Sequence, residues 1–177
     1  MSPRHAGIHL SVVSLGSAHR VCAIWRVSGP AGPRHPCDFP VALLLPRAGA
    51  EQDWAVETTL EGLEGHGSGD GPACVDLATS ADGIRFLALR PGLCAPDLLD
   101  LSHAALGQGH REWARLAADA PGAFRPRALE AYAPRWYATS VLTGSGGAHR
   151  TRVNLLHSLP HQALYAYAAG LLANAAP

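Results

Sequence analysis

Ile8-His-Leu-Ser-Val-Val-Ser-Leu15 and Arg20-Val-Cys-Ala-Ile-Trp-Arg-Val27 decide the fold. Both runs are rich in the β-branched residues that pack well on a pleated surface, and Gly16-Ser-Ala-His19 between them is a hairpin signal. Working outward, a Pro/Gly loop (Gly29 to Pro36) leads to the apolar run Phe39–Leu45, closed by Pro46. Trp54–Leu60 alternates Val56 and Thr58 against Ala55, Glu57 and Thr59, which predicts a strand. Ala73–Ala78 and Ile84–Leu89 flank Ser80-Ala-Asp-Gly83, whose Asp-Gly pair supplies the positive φ of a tight turn. About six strands in meander order predict an antiparallel sheet.

The second half changes period. Pro96 opens a helix that Gly107 closes, with Leu98, Leu99, Leu101, Ala105 and Leu106 as its apolar stripe. His110–Ala120 carries Trp113, Leu116, Ala117 and Ala120 at helical spacing and stops at Pro121-Gly122. Arg127–Ala133 predicts a short helix. Trp136–Leu142 fits strand or helix, and Arg150–Leu156 and Leu159–Asn174 read as helices, the last with Ser158 as N-cap. The expected fold class is therefore α+β, with an N-terminal antiparallel β-sheet followed by a C-terminal helical half. A single domain over 1–177 is expected, with 1–92 mostly strands and 93–177 mostly helices.

Composition narrows the function classes. The chain has 177 residues, 47% hydrophobic and 16% charged, which suits a folded domain and excludes an intrinsically disordered one. Its formal net charge is +0, without the basic field that a general nucleic-acid binder needs. All 14 basic residues are Arg, a bias that fits a GC-rich genome. Ile8–Leu15 with Gly16-Ser-Ala imitates a signal peptide, but His9 interrupts it and a first strand is the better reading. The apolar stretch Ala163–Ala173 is short of the ~20 residues that span a bilayer.

Cys22, Cys37, Cys74 and Cys94 are widely and irregularly spaced with no C-x-x-C, which reads as reduced thiols in a reducing compartment, Cys22 behaving as a small hydrophobe. No metal site is assigned. His157 and His161 read as cap and surface residues, and Asp97 and Asp100 as first-turn carboxylates favoured by the helix dipole. Gly144-Ser-Gly-Gly147 lacks the spacing of a phosphate loop, and no cofactor is implied. Two tripeptides suggest chemistry. His9-Leu-Ser11 and His149-Arg-Thr151 resemble the paired His-x-Ser/Thr motifs of two-histidine phosphoesterases, in which one His acts as base and the other as acid. That gives the alternative reading, a small bacterial α+β enzyme or ligand-binding domain using His9, Ser11, His149 and Thr151.

Five segments in one order carry a further resemblance: Ser11–Gly16, Val21–Val27, Phe39–Leu45, Asp97-Leu-Leu-Asp-Leu-Ser-His-Ala-Ala-Leu106, and Pro134-Arg-Trp-Tyr137 with Leu142. Together they resemble the herpesvirus cytoplasmic envelopment protein 1 family, tegument proteins of alphaherpesvirus type. The resemblance implies a non-enzymatic adaptor in the host cytoplasm, the virion tegument and at Golgi-derived membranes. It also implies a membrane-associated tegument protein as partner. Leu155–Leu172 is apolar on more than one face, so Leu164, Tyr165, Tyr167 and Leu171 are the expected partner contacts, tyrosines combining large apolar area with a polar tip.

Overall fold

The computed structural model describes residues 6–29, 35–143 and 151–158. Among the described residues seven strands form one sheet: β1 (Ala6–Leu15), β2 (Ala18–Ser28), β3 (Val41–Leu44), β4 (Gly71–Ser80), β5 (Gly83–Pro91), β6 (Tyr137–Thr143) and β7 (Thr151–His157). Their spatial order is β5-β4-β1-β2-β3-β6-β7, and every neighbouring pair is antiparallel. Four helices among the described residues cover it: α1 (Ala50–His66), α2 (Pro96–Leu106), α3 (His110–Asp119) and α4 (Pro121–Arg127).

The opening hairpin forms as its turn residues dictate. Leu15 pairs with Ala18, so Gly16-Ser17 is a two-residue turn, and Gly16 takes φ 60°. β4 and β5 are joined in the same way, with Ser80 opposite Gly83. Alternation then sorts the side chains. Ile8, Leu10, Val12 and Ile24 pack with Ala55, Val56 and Leu63 of α1 on one face, while Ala23, Trp25, Ala42 and Leu44 pack with Leu98, Leu99 and Leu101 of α2 on the other. A bulge places Ser11 opposite Ala23 and Val12 opposite Val21, leaving Cys22 as the extra residue. Cys22 joins Val13 in a third cluster, beneath Trp113 and Ala117 of α3 and Phe124 of α4.

The α+β class holds, but its division along the chain does not. Trp54–Leu60 lies inside α1 and not in a strand. Its buried residues are Ala55, Val56, Thr59 and Leu63, a helical spacing. Glu51 and Asp53 favour the helix dipole in the first turn, and Gly67 caps the end at φ 62°. The late segments correct the opposite error. Trp136–Leu142 supplies β6, and Arg150–Leu156 contributes to β7 instead of a helix, because pairing to β6 satisfies its backbone while Arg152 reaches Asp38 and Asn154 reaches Asp97. Residues 128–133 follow α4 without forming the expected helix; the helical turn there ends at Arg127. The sheet therefore has five strands before residue 92 and two after residue 136. The expected Leu159–Asn174 helix lies outside the described residues. Among the described residues no helix is long and apolar enough to cross a membrane.

Tyr132 ties the segment after α4 into the sheet. Its hydroxyl accepts from the Ile24 N–H at 3.1 Å and donates to the Leu45 carbonyl at 2.8 Å, fully inside the protein. Tyr132→Phe strands both backbone groups away from water, so it is expected to cost about 1–3 kcal/mol of unfolding free energy in urea titrations. An unchanged midpoint would show that water replaces the hydroxyl.

Candidate functional site

The register of β1, β4 and their flanking loops builds one polar cluster in the core. His9 on β1 lies opposite Asp76 on β4 and opposite Trp25 on β2. Cys74, two residues before Asp76, shares its face of β4 because strand side chains repeat every second residue. Cys37 arrives from the loop between β2 and β3, and Cys94 from the loop between β5 and α2. The ligand atoms of His9, Cys37, Cys74 and Cys94 all lie within 4.8 Å of one another. His9 Nε2 is 3.3 Å from Cys94 Sγ, and Cys74 Sγ is 3.0 Å from Cys94 Sγ. The exposures of the four residues are 0%, 1%, 2% and 3% in chain order.

A second layer orients the imidazole. His9 Nδ1 is 2.7 Å from the Asp76 carboxylate, whose other oxygen binds the Arg90 guanidinium. Nδ1 therefore carries a proton toward Asp76, and Nε2 faces the sulfurs. The Phe39 ring, 5.1 Å from the imidazole, closes one side, and Trp25 is packed in the same apolar cluster. Burial pushes His9 toward its neutral form, but Asp76, with Cys37 and Cys74 beside it, outweighs this and raises its pKa well above the ordinary histidine range. The Cys37 thiol is pulled down by hydrogen bonds from Cys74 and Cys94, while hydrogen bonds with Cys37 and Cys74, together with burial, push Cys94 up. Cys22 stands apart in the α3 cluster, where burial raises its thiol and leaves it inert, as a small hydrophobe should be. All four cysteines are free thiols.

Of the residues expected to carry phosphoester chemistry, the structure describes the side chains of His9 and Ser11. His9 and Ser11 do share a face of β1, and both are buried. His149 lies outside the described residues, as does the side chain of Thr151. Leu164, Tyr165, Tyr167 and Leu171, the expected partner contacts, also lie outside them. Sequence reading assigned no shared role to Cys37, Cys74 and Cys94. Their visible signal was the pairing of Cys74-x-Asp76 with His9-x-Ser11 on two strands, legible only once β1 and β4 are known to be neighbours.

No protein-family model matches the chain, and no curated protein matches it. Solved structures do. An L-amino acid ligase from Bacillus licheniformis superposes with a TM-score of 0.71 at 11% identity, over 96% of this chain and 53% of that one. An N5-carboxyaminoimidazole synthetase from Staphylococcus aureus, complexed with ADP, gives 0.62 at 9% identity, over 96% and 50%. A biotin carboxylase β-γ-ATP complex from Campylobacter jejuni gives 0.56 at 11% identity, over 78% and 30%. This chain spans about half the length of the first two and under a third of the other. These likenesses overturn the herpesvirus resemblance and, with it, the tegument adaptor, its envelopment role and its Golgi setting. The matched residues have a simpler origin: Leu98, Leu99 and Leu101 are the buried stripe of α2, which any helix covering an apolar sheet needs. The fold of this chain is that of a part of each of these three structures.

Proposed function

We propose that the chain works as a nucleotide-binding part of an ATP-dependent enzyme of the ligase and carboxylase type. The observation that carries this reading is the superposition of 96% of the chain on about half of an amino-acid ligase at a TM-score of 0.71. The S. aureus synthetase bound to ADP and the C. jejuni carboxylase bound to an ATP analogue support the nucleotide class.

The test is thermal unfolding of the intact protein with ADP or with ATP and Mg2+. A ligand at 100 times its Kd stabilises the native state by about 2.7 kcal/mol, which for this size moves Tm by roughly 5–10 °C. That rise with adenine nucleotides is the expected result. An unchanged Tm at millimolar ADP and at millimolar ATP with Mg2+ would overturn the reading.

A further inference from the structure

We propose that His9, Cys37, Cys74 and Cys94 bind one Zn2+ ion that staples the two loops to the sheet. The donor set is three thiols and one imidazole, the combination that tetrahedral structural zinc sites use. Four donors from four separate segments converge within 4.8 Å in an otherwise apolar core, beside Trp25, Phe39 and Leu98. Buried polar groups need partners, and these sulfurs find almost only one another. Cys74 and Cys94 also lie too far apart, at 3.0 Å, to be disulfide-bonded, since a bond closes at about 2.05 Å. Seating an ion spreads this pair toward the edge of a tetrahedron with zinc–sulfur bonds of about 2.3 Å, an edge of roughly 3.8 Å.

The surroundings of His9 fit the same ion. Metal-bound imidazoles donate their other N–H to a carboxylate, which sets the tautomer and the ring plane, and His9 does so to Asp76 at 2.7 Å. Arg90 holds the second carboxylate oxygen, so the orienting group is itself fixed. Charge also balances better with the ion in place. Three thiolates and a Zn2+ leave one negative charge, against three for the same thiolates without the ion.

The site is structural because it is closed. All four positions of a tetrahedron are filled by protein, and all four residues are buried, leaving no position for water or substrate. What it holds is irregular backbone. Cys37 lies just before β3, and Cys94 just before α2, whose buried leucines cover the same face of the sheet. The inference stands apart from nucleotide binding, because its readout is metal and the nucleotide test reads ligand-induced stabilisation of the metal-replete protein.

The experiment is metal analysis of the intact protein, purified under reducing conditions, exposed to zinc and dialysed. One tightly held zinc per chain is expected. Substituting Co2+ should give the visible bands of a tetrahedral thiolate site, a readout that needs no variant. Cys74→Ser should lose stoichiometric metal while Cys22→Ser keeps it. Asp76→Asn, milder and less prone to misfold, should retain the ion with an affinity about 10–100-fold weaker. A folded wild-type protein holding no zinc and showing no cobalt–thiolate bands would overturn the proposal. So would a Cys74–Cys94 disulfide in the unreduced protein, or equal metal loss in Cys22→Ser and Cys74→Ser.

Discussion

Replacing Trp25 with alanine is expected to lower the unfolding free energy by about 3–5 kcal/mol, the range for deleting a large aromatic side chain from a packed core. Trp25 is fully buried at the centre of β2, opposite His9 on β1 and Leu44 on β3. It packs with Phe39, Leu98 and Leu99. Its loss removes a wall of the core that holds Cys37, Cys74 and Cys94, and the sheet around it is hydrogen-bonded on both sides and cannot collapse to fill the space. Urea denaturation followed by far-UV circular dichroism measures the effect. A loss under about 1 kcal/mol would mean that the neighbours repack into the void and that the core is softer than its burial implies.

Acid is expected to weaken the fold through His110, by about 3 kcal/mol on complete titration. His110 Nε2 donates to the Val12 carbonyl at 2.8 Å, and its Nδ1 accepts from the Cys94 N–H at 3.4 Å. The neutral ring thus has both nitrogens satisfied, and a second proton would face an N–H donor. Burial, the largest cause, lowers its pKa from 6.5 to about 4. The unfolded chain takes up a proton near pH 6.5 that the folded chain refuses until about pH 4, so the full contribution is present above pH 6.5 and is lost as the pH falls to 4. The measurement compares wild type with His110→Gln between pH 7.5 and pH 4.5, so that acid-sensitive groups common to both cancel. The wild type should show the steeper loss. Parallel slopes would place the acid sensitivity elsewhere.

Elements with a local cause were legible in the chain. The β1–β2 hairpin follows from a two-residue Gly16-Ser17 turn between Val- and Ile-rich runs, and α2 follows from Pro96, a leucine stripe and Gly107. Where local preference and tertiary demand diverged, the reading failed. Val56, Thr58 and Thr59 favour strands as isolated residues, yet α1 forms because Ala55, Val56, Thr59 and Leu63 must bury together on one face of the sheet. β7 was read as a helix because its alternation is weak. Val153 and Leu155 alternate with polar residues only from Thr151 to Leu155, Leu156 breaks the pattern, and an edge strand buries little to sharpen it.

The tegument resemblance failed for a related reason, since short leucine-rich matches report burial and not descent. The sequence by itself determined the α+β class, the early hairpins, the α2 and α3 helices and the absence of a basic field. The sheet order, the position of α1 and the meeting of His9, Cys37, Cys74 and Cys94 were decided only by tertiary structure. Those four residues are spaced along the chain with no metal-binding rhythm, and no local interaction links them. They become neighbours because β1 pairs with β4 at a register that sets His9 opposite Asp76, and because packing of β3 and α2 onto the same face draws both cysteine loops inward.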